Sequence, residues 1–338
     1  MRLRVDAGAI AANWKALDAM SGAAATAAAV KADAYGVGAT RAMPALLDAG
    51  CRDFYVAHWS EVPDILAHTD GTTIAVLHGP VTQKDADFAR QTGVRPVLNS
   101  ASQVRLWHGG GGGACDLMVD TGMNRLGLRP EELGYPLVGK LEVHTLMSHL
   151  ACADEDSAMN ERQRQAFGGL LGAVEHRRAS LANSAGIALG AGYHHDLTRP
   201  GLSLYGGIAR PELAPAIRPV VGIEAELLQV RKVPAGETVG YGATFAAQKE
   251  MRVGIVSLGY ADGYLRCWSD KGAFRHGDAV LPVIGRVSMD MTAIDLAAAP
   301  ELGEGDWVAA QYDLASASAR CGLTQYELLT TLGPRLRR

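Results

Sequence analysis

Short apolar runs alternate with stretches of helical pattern from residue 8 to about residue 206. Runs of this length are typical of buried strands, and strands that alternate with helices predict parallel βα units. Eight runs can be counted, and eight consecutive βα units close most economically into a parallel barrel. The predicted strands are Ala27–Val30, Asp53–Ala57, Thr73–Leu77, Arg95–Leu98, Asp116–Val119, Val143–Ser148, Ser180–Ala182 and Leu202–Tyr205.

Two of the intervening segments have a clear helical pattern. Ala9–Met20 is rich in alanine, the strongest helix former. Asp156–His176 predicts a long helix that is interrupted at Gly168-Gly169.

The pattern changes after about residue 215, where strand follows strand with turn residues between them. Three prolines, Pro211, Pro215 and Pro219, mark the change because proline resists regular structure. We therefore expect a (β/α)8 TIM-type barrel over residues 1–215 and a mostly-β domain over residues 216–338. Its predicted strands include Val220–Val233, Arg252–Leu258, Ala279–Ile284 and Trp307–Ala310.

Composition and charge exclude several classes of protein. The formal net charge is −4 and the pI is near 6.2, so the chain has no basic field to hold nucleic acid. The five cysteines are scattered and never form a CxxC pair, which favours neither a disulfide framework nor a zinc site. The N-terminus from Met1 to Asp6 lacks the apolar segment of a signal peptide, and no stretch of about eighteen apolar residues, the length of a membrane span, appears. We expect a cytoplasmic protein that binds neither nucleic acid nor membrane.

Chemically useful side chains fall at one end of the predicted strands. Parallel-barrel enzymes build their active sites at the C-terminal ends of strands. A random scatter of structural polar residues would not be this one-sided. Lys31 ends the first strand, Arg125 follows the fifth, His149 ends the sixth, Asn183 and Ser184 end the seventh, and Arg199 to Gly201 precede the eighth.

Lys31 is a candidate covalent catalyst. A lysine amine forms Schiff bases with carbonyl compounds, and a desolvated site makes the neutral amine accessible. Barrels often bind phosphate at the loops after the seventh and eighth strands, where Ser184, Gly201 and Leu202 could form a cradle. Two phosphorylated carbonyl compounds fit this pattern: the substrate of a sugar-phosphate aldolase, and pyridoxal phosphate.

The motifs of the whole chain, from Val5 to about Arg335, resemble the alanine racemase family, which uses pyridoxal phosphate. The segment from Val30 to Gly36 resembles the family's cofactor-lysine motif, and the segment from Val119 to Gly127 resembles its substrate-arginine motif. Further matching segments follow in the family's order: Met147 to Leu150, Asn183 to Ala185, Arg199 to Gly201, Gly240 to Thr244, Gly259 to Gly263 and Gly285 to Met291.

The resemblance implies a two-base mechanism that interconverts L- and D-alanine. Lys31 would hold the cofactor and move the α-proton on one face, and Tyr241 would act on the other face with help from His149. Arg199 would face the ring nitrogen of the cofactor. The remaining implied residues are Tyr35, Asn183, Ser184, Gly201, Leu202 and Tyr326 for the cofactor, and Arg125 and Met289 for the substrate.

The resemblance also implies a homodimer with shared active sites. The mostly-β domain, which carries Tyr241 and Met289, would reach the barrel mouth of the partner subunit, and the product D-alanine would supply peptidoglycan synthesis. Tyr260 and Arg266 would line the substrate entrance or lie at the dimer contact. Two alternatives stay open: a racemase acting on serine or on several amino acids, and a pyridoxal-phosphate-binding protein without turnover.

One position departs from the family pattern. Many relatives have a carbamylated lysine seven residues before the substrate arginine, where it steadies the guanidinium; here that residue is Met118. Methionine cannot form a carbamate. We therefore expect Arg125 to be held by another acceptor, by a bound anion such as chloride, or by water.

The His194-His195-Asp196 cluster could suggest a metal site. Because no third ligand lies at a supporting spacing, we expect no metal and assign the cluster to a loop before the eighth strand.

Overall fold

The computed structural model describes residues 1–337 and forms two compact units. One unit is Ala7–Arg218, and the other is Met1–Asp6 together with the chain from Pro219 onward. Arg338, the last residue of the predicted mostly-β domain, lies outside the described residues.

Parallel strands form a closed ring in the first unit. Seven of them, β3 to β9, pair in sequential order in one sheet. The ring closes because β10 pairs in parallel with β2, and the Arg199 N–H donates to the Ala182 carbonyl beyond β9. Only Ala27 separates β2 from β3. The strands are β2 (Ala25–Thr26), β3 (Ala28–Ala29), β4 (Phe54–Val56), β5 (Ile74–Val76), β6 (Arg95–Leu98), β7 (Ala114–Met118), β8 (Glu142–Met147), β9 (His176–Ser180) and β10 (Leu197–Thr198).

The predicted eighth strand was wrong. Leu202–Tyr205 is a 3-10 helix, and the eighth barrel strand is β10. The chain leaves the ring at Gly201, whose N–H donates to the Ser184 hydroxyl instead of to a neighbouring strand. All four residues of the 3-10 helix are buried, so their apolar run cannot be distinguished from a strand by pattern. Arg199 therefore follows the eighth strand and lies at its C-terminal end.

Helices connect the strands, with a different boundary from the predicted one after β8. The helix there, α6, ends at Leu170, and His176 already belongs to β9, so the predicted extension to residue 176 was wrong. The helix continues through Gly168-Gly169 without the predicted interruption. The helices of this unit are α1 (Ala7–Ser21), α2 (Ala39–Ala49), α3 (Val62–Leu66), α4 (Gln83–Thr92), α5 (Ala101–Gly109), α6 (Ala158–Leu170) and α7 (Ser184–Ala188).

Small and medium apolar side chains fill part of the barrel interior. This cluster consists of Ala27, Tyr55, Ala75, Val97, Met118, Met147 and Leu197.

Buried ion pairs also cross between barrel strands. The Arg178 guanidinium donates to both carboxylate oxygens of Asp53, and Arg95 Nε lies 3.3 Å from Asp116 Oδ1. Tyr55 Oη donates to Asp116 Oδ2 at 3.3 Å. Each of these four charges therefore has a partner of opposite sign, which stabilises its burial.

The second unit is an antiparallel sheet in which β11 pairs with β1, β14 and β18. Because the β1 backbone pairs with β11, residues 1–6 belong to this unit, whereas the predicted boundary of 215/216 placed them with the barrel. The elements are β1 (Arg2–Val5), β11 (Val221–Val233), β12 (Thr238–Val239), β13 (Phe245–Ala246), β14 (Met251–Val256), β15 (Ala273–His276), β16 (Ala279–Pro282), β17 (Thr292–Asp295), β18 (Trp307–Ala310), α8 (Leu314–Cys321) and α9 (Gln325–Thr330).

Within residues 1–337, no helix combines the length and apolar character that crossing a bilayer requires.

Removing one side of a buried ion pair should destabilise the barrel. Arg95→Met leaves Asp116 without its guanidinium partner, so we expect the free energy of unfolding to fall by about 3–5 kcal/mol. Arg177→Met removes a solvent-exposed pair with Glu142 and should cost less than about 1 kcal/mol. Urea denaturation followed by circular dichroism measures both, and equal losses would contradict the assignment of a buried network.

Candidate active site

Lys31 lies two residues beyond β3 and opens a left-handed turn. The four following residues, Ala32 to Tyr35, all have φ between 52° and 56°. Left-handed backbone costs non-glycine residues roughly 1–2 kcal/mol each, so tertiary contacts must hold this turn. The Glu61 carboxylate accepts hydrogen bonds from the N–H groups of Ala32, Ala57 and His58, and the Asp33 carboxylate accepts one from Ala39.

The surroundings of Lys31 favour its neutral amine. Burial lowers the pKa of Lys31, and the charges of Arg125 and Arg199 lower it further, while Glu61 opposes them. A depressed pKa increases the fraction of amine that can attack a carbonyl carbon near neutral pH. This environment is that of a nucleophilic lysine and not of a solvated surface lysine.

His149 is held in its neutral form. Burial lowers its pKa to about 3, and Arg199, Arg125 and Lys31 contribute in the same direction. A neutral imidazole has one nitrogen that donates a hydrogen bond and one that accepts, so this ring can donate and accept hydrogen bonds without carrying charge. The barrel fold thus brings the predicted residues Lys31, Arg125, His149 and Arg199 into one electrostatic cluster.

Arg199 is buried and fixed by three barrel strands. Its Nη2 donates to the Ser148 carbonyl at 2.7 Å and its Nη1 donates to the Ser180 hydroxyl. The guanidinium also lies 6.0 Å from the centre of the Tyr55 ring, a distance typical of a cation–π contact. Burial lowers the pKa of Arg199, but a guanidinium stays protonated in proteins. A fixed cation therefore lies next to Lys31.

A small polar cradle lies after β9 and β10. The Ser184 hydroxyl accepts hydrogen bonds from the N–H groups of Gly201 and Ser203, at 2.9 and 3.3 Å. Asn183 begins α7 by accepting from the Gly186 N–H. At Gly201, an added Cβ would lie 2.1 Å from Tyr35 Oη, so only glycine allows the tyrosine hydroxyl to approach. Tyr35 is supported by Tyr205, whose ring stacks on it at 5.1 Å.

The Arg125 side chain is exposed at the same barrel face. Among residues 1–337 the structure gives its guanidinium no hydrogen-bond or ion-pair partner. Its loop is nevertheless ordered by Asp120, whose carboxylate accepts from the N–H groups of Gly122 and Met123, and by the Leu128 N–H, which donates to the Met118 carbonyl.

Met118 has an apolar role in this structure. Its side chain is 7% exposed and lies in the barrel interior, 3.1 Å from where a Cβ on Gly127 would stand. It offers Arg125 no acceptor. The expectation that an anion or water supports Arg125 stays a prediction, because the described residues provide no protein acceptor for it.

Five predicted site residues lie in the second unit. Tyr241 is 65% exposed and Met289 is 53% exposed, which is unusual for large apolar side chains. Gly240 and Gly242 flank Tyr241 with positive φ, so the tyrosine projects from a tight turn. Tyr326 lies in the first turn of α9. The Arg266 guanidinium lies 5.4 Å from the Tyr260 ring centre.

The His194 ring is structural. Its Nδ1 and Nε2 lie 3.1 and 2.9 Å from the carbonyls of Ser21 and Ile187. In the part of the chain that the structure describes, no group of three or more histidine, cysteine, aspartate or glutamate side chains could hold a metal ion.

Sequence reasoning missed several supporting residues. Glu61, which holds the left-handed turn, follows a strand end just as the predicted residues do, so the same signal could have found it. Gln163 links the two loops of the site, because its amide donates to the Thr121 hydroxyl and the His149 carbonyl. Ser180 is a lone serine inside a strand, and no sequence signal marks its contact with Arg199.

Two family models match the chain in succession. The model described as alanine racemase, N-terminal domain, matches residues 5–209, and the model described as alanine racemase, C-terminal domain, matches residues 220–338. The chain belongs to the alanine racemase family. This confirms the resemblance inferred from the motifs.

Individual members of the family are similar over their full length. The alanine racemase of Acidiphilium cryptum is 40% identical over 350 residues, covering 99% of this chain and 97% of that protein. The alanine racemase of Methylobacterium nodulans is 43% identical over 359 residues, covering 99% and 94%.

Solved structures of the family share the fold. The alanine racemase of Bartonella henselae, solved with covalently bound pyridoxal phosphate, is 34% identical with a TM-score of 0.90, covering 98% of this chain and 97% of that one. The biosynthetic alanine racemase of Pseudomonas aeruginosa is 34% identical with a TM-score of 0.88, covering 99% and 98%. The predicted fold class, a barrel followed by a mostly-β domain, is confirmed.

The depressed pKa of Lys31 can be tested in the cofactor-free protein. We expect Lys31 to titrate below the ordinary lysine value of about 10.4. Arg125→Met removes a charge that lowers this pKa, so the pKa should rise, whereas Arg129→Met in the same loop should leave it unchanged. Reductive methylation at a series of pH values, read by peptide mass spectrometry, measures the shift. Titration of Lys31 at the ordinary value would contradict the electrostatic account.

Proposed function

We propose that this chain is a pyridoxal-phosphate-dependent alanine racemase that interconverts L- and D-alanine. The observation that carries the proposal is the partly buried Lys31 amine with its lowered pKa, on the same barrel face as Arg125, His149 and Arg199. Membership of the family and the full-length similarity to alanine racemases of other organisms support it.

The residues present fit the cofactor. The absence of a Cβ at Gly201 lets the Tyr35 hydroxyl approach the backbone beside the Ser184 hydroxyl, and these two hydroxyl groups are polar atoms suited to a phosphate. Lys31 supplies the amine that binds the aldehyde carbon, and Arg199 supplies a fixed cation for the ring nitrogen. When bound, pyridoxal phosphate supplies an electron sink that acidifies the α-C–H bond of an amino acid.

Arg199 would limit how much negative charge the cofactor ring can take up. Because a guanidinium keeps its own proton, it does not transfer one to a ring nitrogen as a carboxylic acid would. The two serine contacts and the Tyr55 ring hold the guanidinium in place. This choice favours return of the α-proton over side reactions such as transamination.

Proton movement is divided between two side chains. Lys31 Nζ removes or returns the α-proton on one face, and Tyr241 Oη does so on the other. A phenol has a pKa of roughly 10, so Tyr241 needs a neighbour that favours the phenolate in order to act as a base. The neutral ring of His149 is suited to hydrogen-bond the phenol oxygen, and its pKa of about 3 means that it does not take up the proton itself.

The substrate carboxylate would be bound by a positively charged side chain. The Arg125 guanidinium, which has no ion-pair partner among the described residues, is suited to bind the α-carboxylate of alanine in a bidentate manner. Met289 borders the substrate methyl group, Tyr326 and Leu202 complete the cofactor site, and Tyr260 and Arg266 line the entrance.

We also infer a homodimer. The exposure of Tyr241 and Met289 supports the view that the second unit completes the active site of a partner subunit. Such an enzyme would work in the bacterial cytoplasm, where D-alanine is needed for peptidoglycan precursors.

Solvent deuterium exchange tests the two-base assignment. With L-alanine in deuterium oxide, the wild-type holoenzyme should give D-alanine carrying α-deuterium. Tyr241→Phe should slow racemisation by on the order of 10²–10⁴-fold while Lys31 still exchanges the α-proton of one enantiomer. Tyr193→Phe, a tyrosine whose hydroxyl contacts Glu161, is the matched control and should keep wild-type rates.

The same assay separates the alternatives. Absence of both α-deuterium and D-alanine with the wild-type protein would favour the cofactor-binding protein without turnover. Turnover of serine or lysine as fast as alanine would favour a racemase of broad specificity.

The phosphate cradle can be tested without turnover. Gly201→Ala should displace Tyr35 and weaken cofactor binding by tenfold or more, since a lost polar contact costs about 1–3 kcal/mol. Gly134→Ala, where an added Cβ meets open space, should not. Fluorescence titration of the cofactor-free proteins with pyridoxal phosphate measures both affinities, and equal affinities would place the phosphate elsewhere.

A further inference from the structure

Three segments of the second unit are joined by backbone hydrogen bonds around the loop that carries Met289. The N–H groups of Tyr260 and Ala261 donate to the carbonyls of Ser288 and Met289, at 3.0 and 2.9 Å. From the third segment, the Gly333 N–H donates to the Asp262 carbonyl at 2.9 Å. The expected entrance residue Tyr260 and the expected substrate residue Met289 are therefore positioned by the same small region.

Glycines allow the backbones of these segments to approach one another more closely than residues with a Cβ would permit. A Cβ on Gly259 would lie 2.4 Å from the Met289 carbonyl oxygen, and one on Gly263 would lie 2.4 Å from the Thr331 carbonyl oxygen. Packing this tight transmits a displacement of one segment to the others.

One arginine connects all three segments through charge. Arg335 Nε lies 2.8 Å from Asp262 Oδ1, and Arg335 Nη1 lies 2.8 Å from Asp290 Oδ1. Asp290 directly follows Met289. We call Arg335, Asp262 and Asp290 the Arg335 clamp.

The two arms of the clamp differ in burial. The Asp262 side chain is 1% exposed, and its Oδ2 accepts from the Gly259 N–H at 3.0 Å. Its Oδ1 has no well-aligned hydrogen bond in the structure, so the nearby Arg335 charge is what compensates this buried oxygen. The Asp290 carboxylate is half exposed, so the second arm holds a loop that is otherwise open to solvent.

We propose that Arg335 is a positioning residue for the racemase reaction, which holds the Met289 and Tyr260 loops in the geometry that selects alanine. Arg335 does not touch substrate in this account; it acts through Asp290 on Met289 and through Asp262 on Tyr260. The proposal rests on the proposed function, because it takes Met289 and Tyr260 as parts of the substrate site.

Three variants test the two arms of the clamp separately. Asp290→Asn weakens the exposed arm and leaves the buried Asp262 charge paired, so it should fold normally. Arg335→Met removes both arms, and Arg335→Lys restores a cation that can reach one carboxylate. Arg320→Met is the matched control, because this exposed arginine contacts only Gln311 among the described residues.

We expect Asp290→Asn and Arg335→Met to raise the KM for L-alanine by on the order of tenfold to a hundredfold, because small misplacements of substrate-bordering groups have effects of this size. The kcat should change less, and the ratio of kcat/KM for alanine over serine should fall. Arg335→Lys should recover part of both losses, and Arg320→Met should match the wild-type holoenzyme.

Amide hydrogen exchange gives a readout independent of activity. In the Asp290→Asn and Arg335→Met variants, exchange should increase in residues 259–263 and 288–291, while β11 stays protected. Unchanged exchange, KM and selectivity would overturn the proposal, as would a uniform loss of protection throughout the unit, which indicates a purely structural role. If the wild-type holoenzyme does not racemise alanine, the proposed function fails; the exchange result still reports on whether the clamp holds these loops.

Discussion

A lysine amine, two guanidinium groups and a histidine share one face of the barrel, and the positive field of the two guanidinium groups is the constraint on which the site depends. Burial and this field lower the pKa values of Lys31 and His149 together. The neutral amine can then react with a carbonyl carbon, and the neutral imidazole can donate and accept hydrogen bonds. The same field attracts the anionic groups of a cofactor and of an amino-acid substrate, so one arrangement serves both reactivity and binding.

The barrel keeps this face in place at an energetic cost. Four consecutive left-handed residues follow Lys31, and Glu61 and Asp33 compensate them with hydrogen bonds to backbone N–H groups. Beneath the site, the charges of Arg178, Arg95 and Asp116 are paired across strands. The strained backbone at the mouth of the barrel is thus held in place by a rigid interior, as is common in enzyme active sites.

The barrel and most of the site could be predicted because strand ends and motifs are local features. Lys31, Arg125, His149 and Ser184 each follow a short apolar run, and a parallel barrel gathers strand ends on one face. The eighth strand could not be placed, since Leu202–Tyr205 is buried on every side and β10 has only two residues. The pairing of β1 with β11 and the Arg335 clamp join residues that are far apart in sequence, and no local pattern reveals such contacts.

The proposed role of Lys31 is to bind the cofactor covalently. Borohydride reduction of the pyridoxal-phosphate-loaded protein, followed by proteolysis and mass spectrometry, tests this role. We expect one modified peptide with the added pyridoxyl phosphate mass on Lys31, and none in Lys31→Ala. Modification of a different lysine in the wild-type protein, or an unmodified Lys31 peptide in protein that retains the cofactor's absorbance, would contradict it.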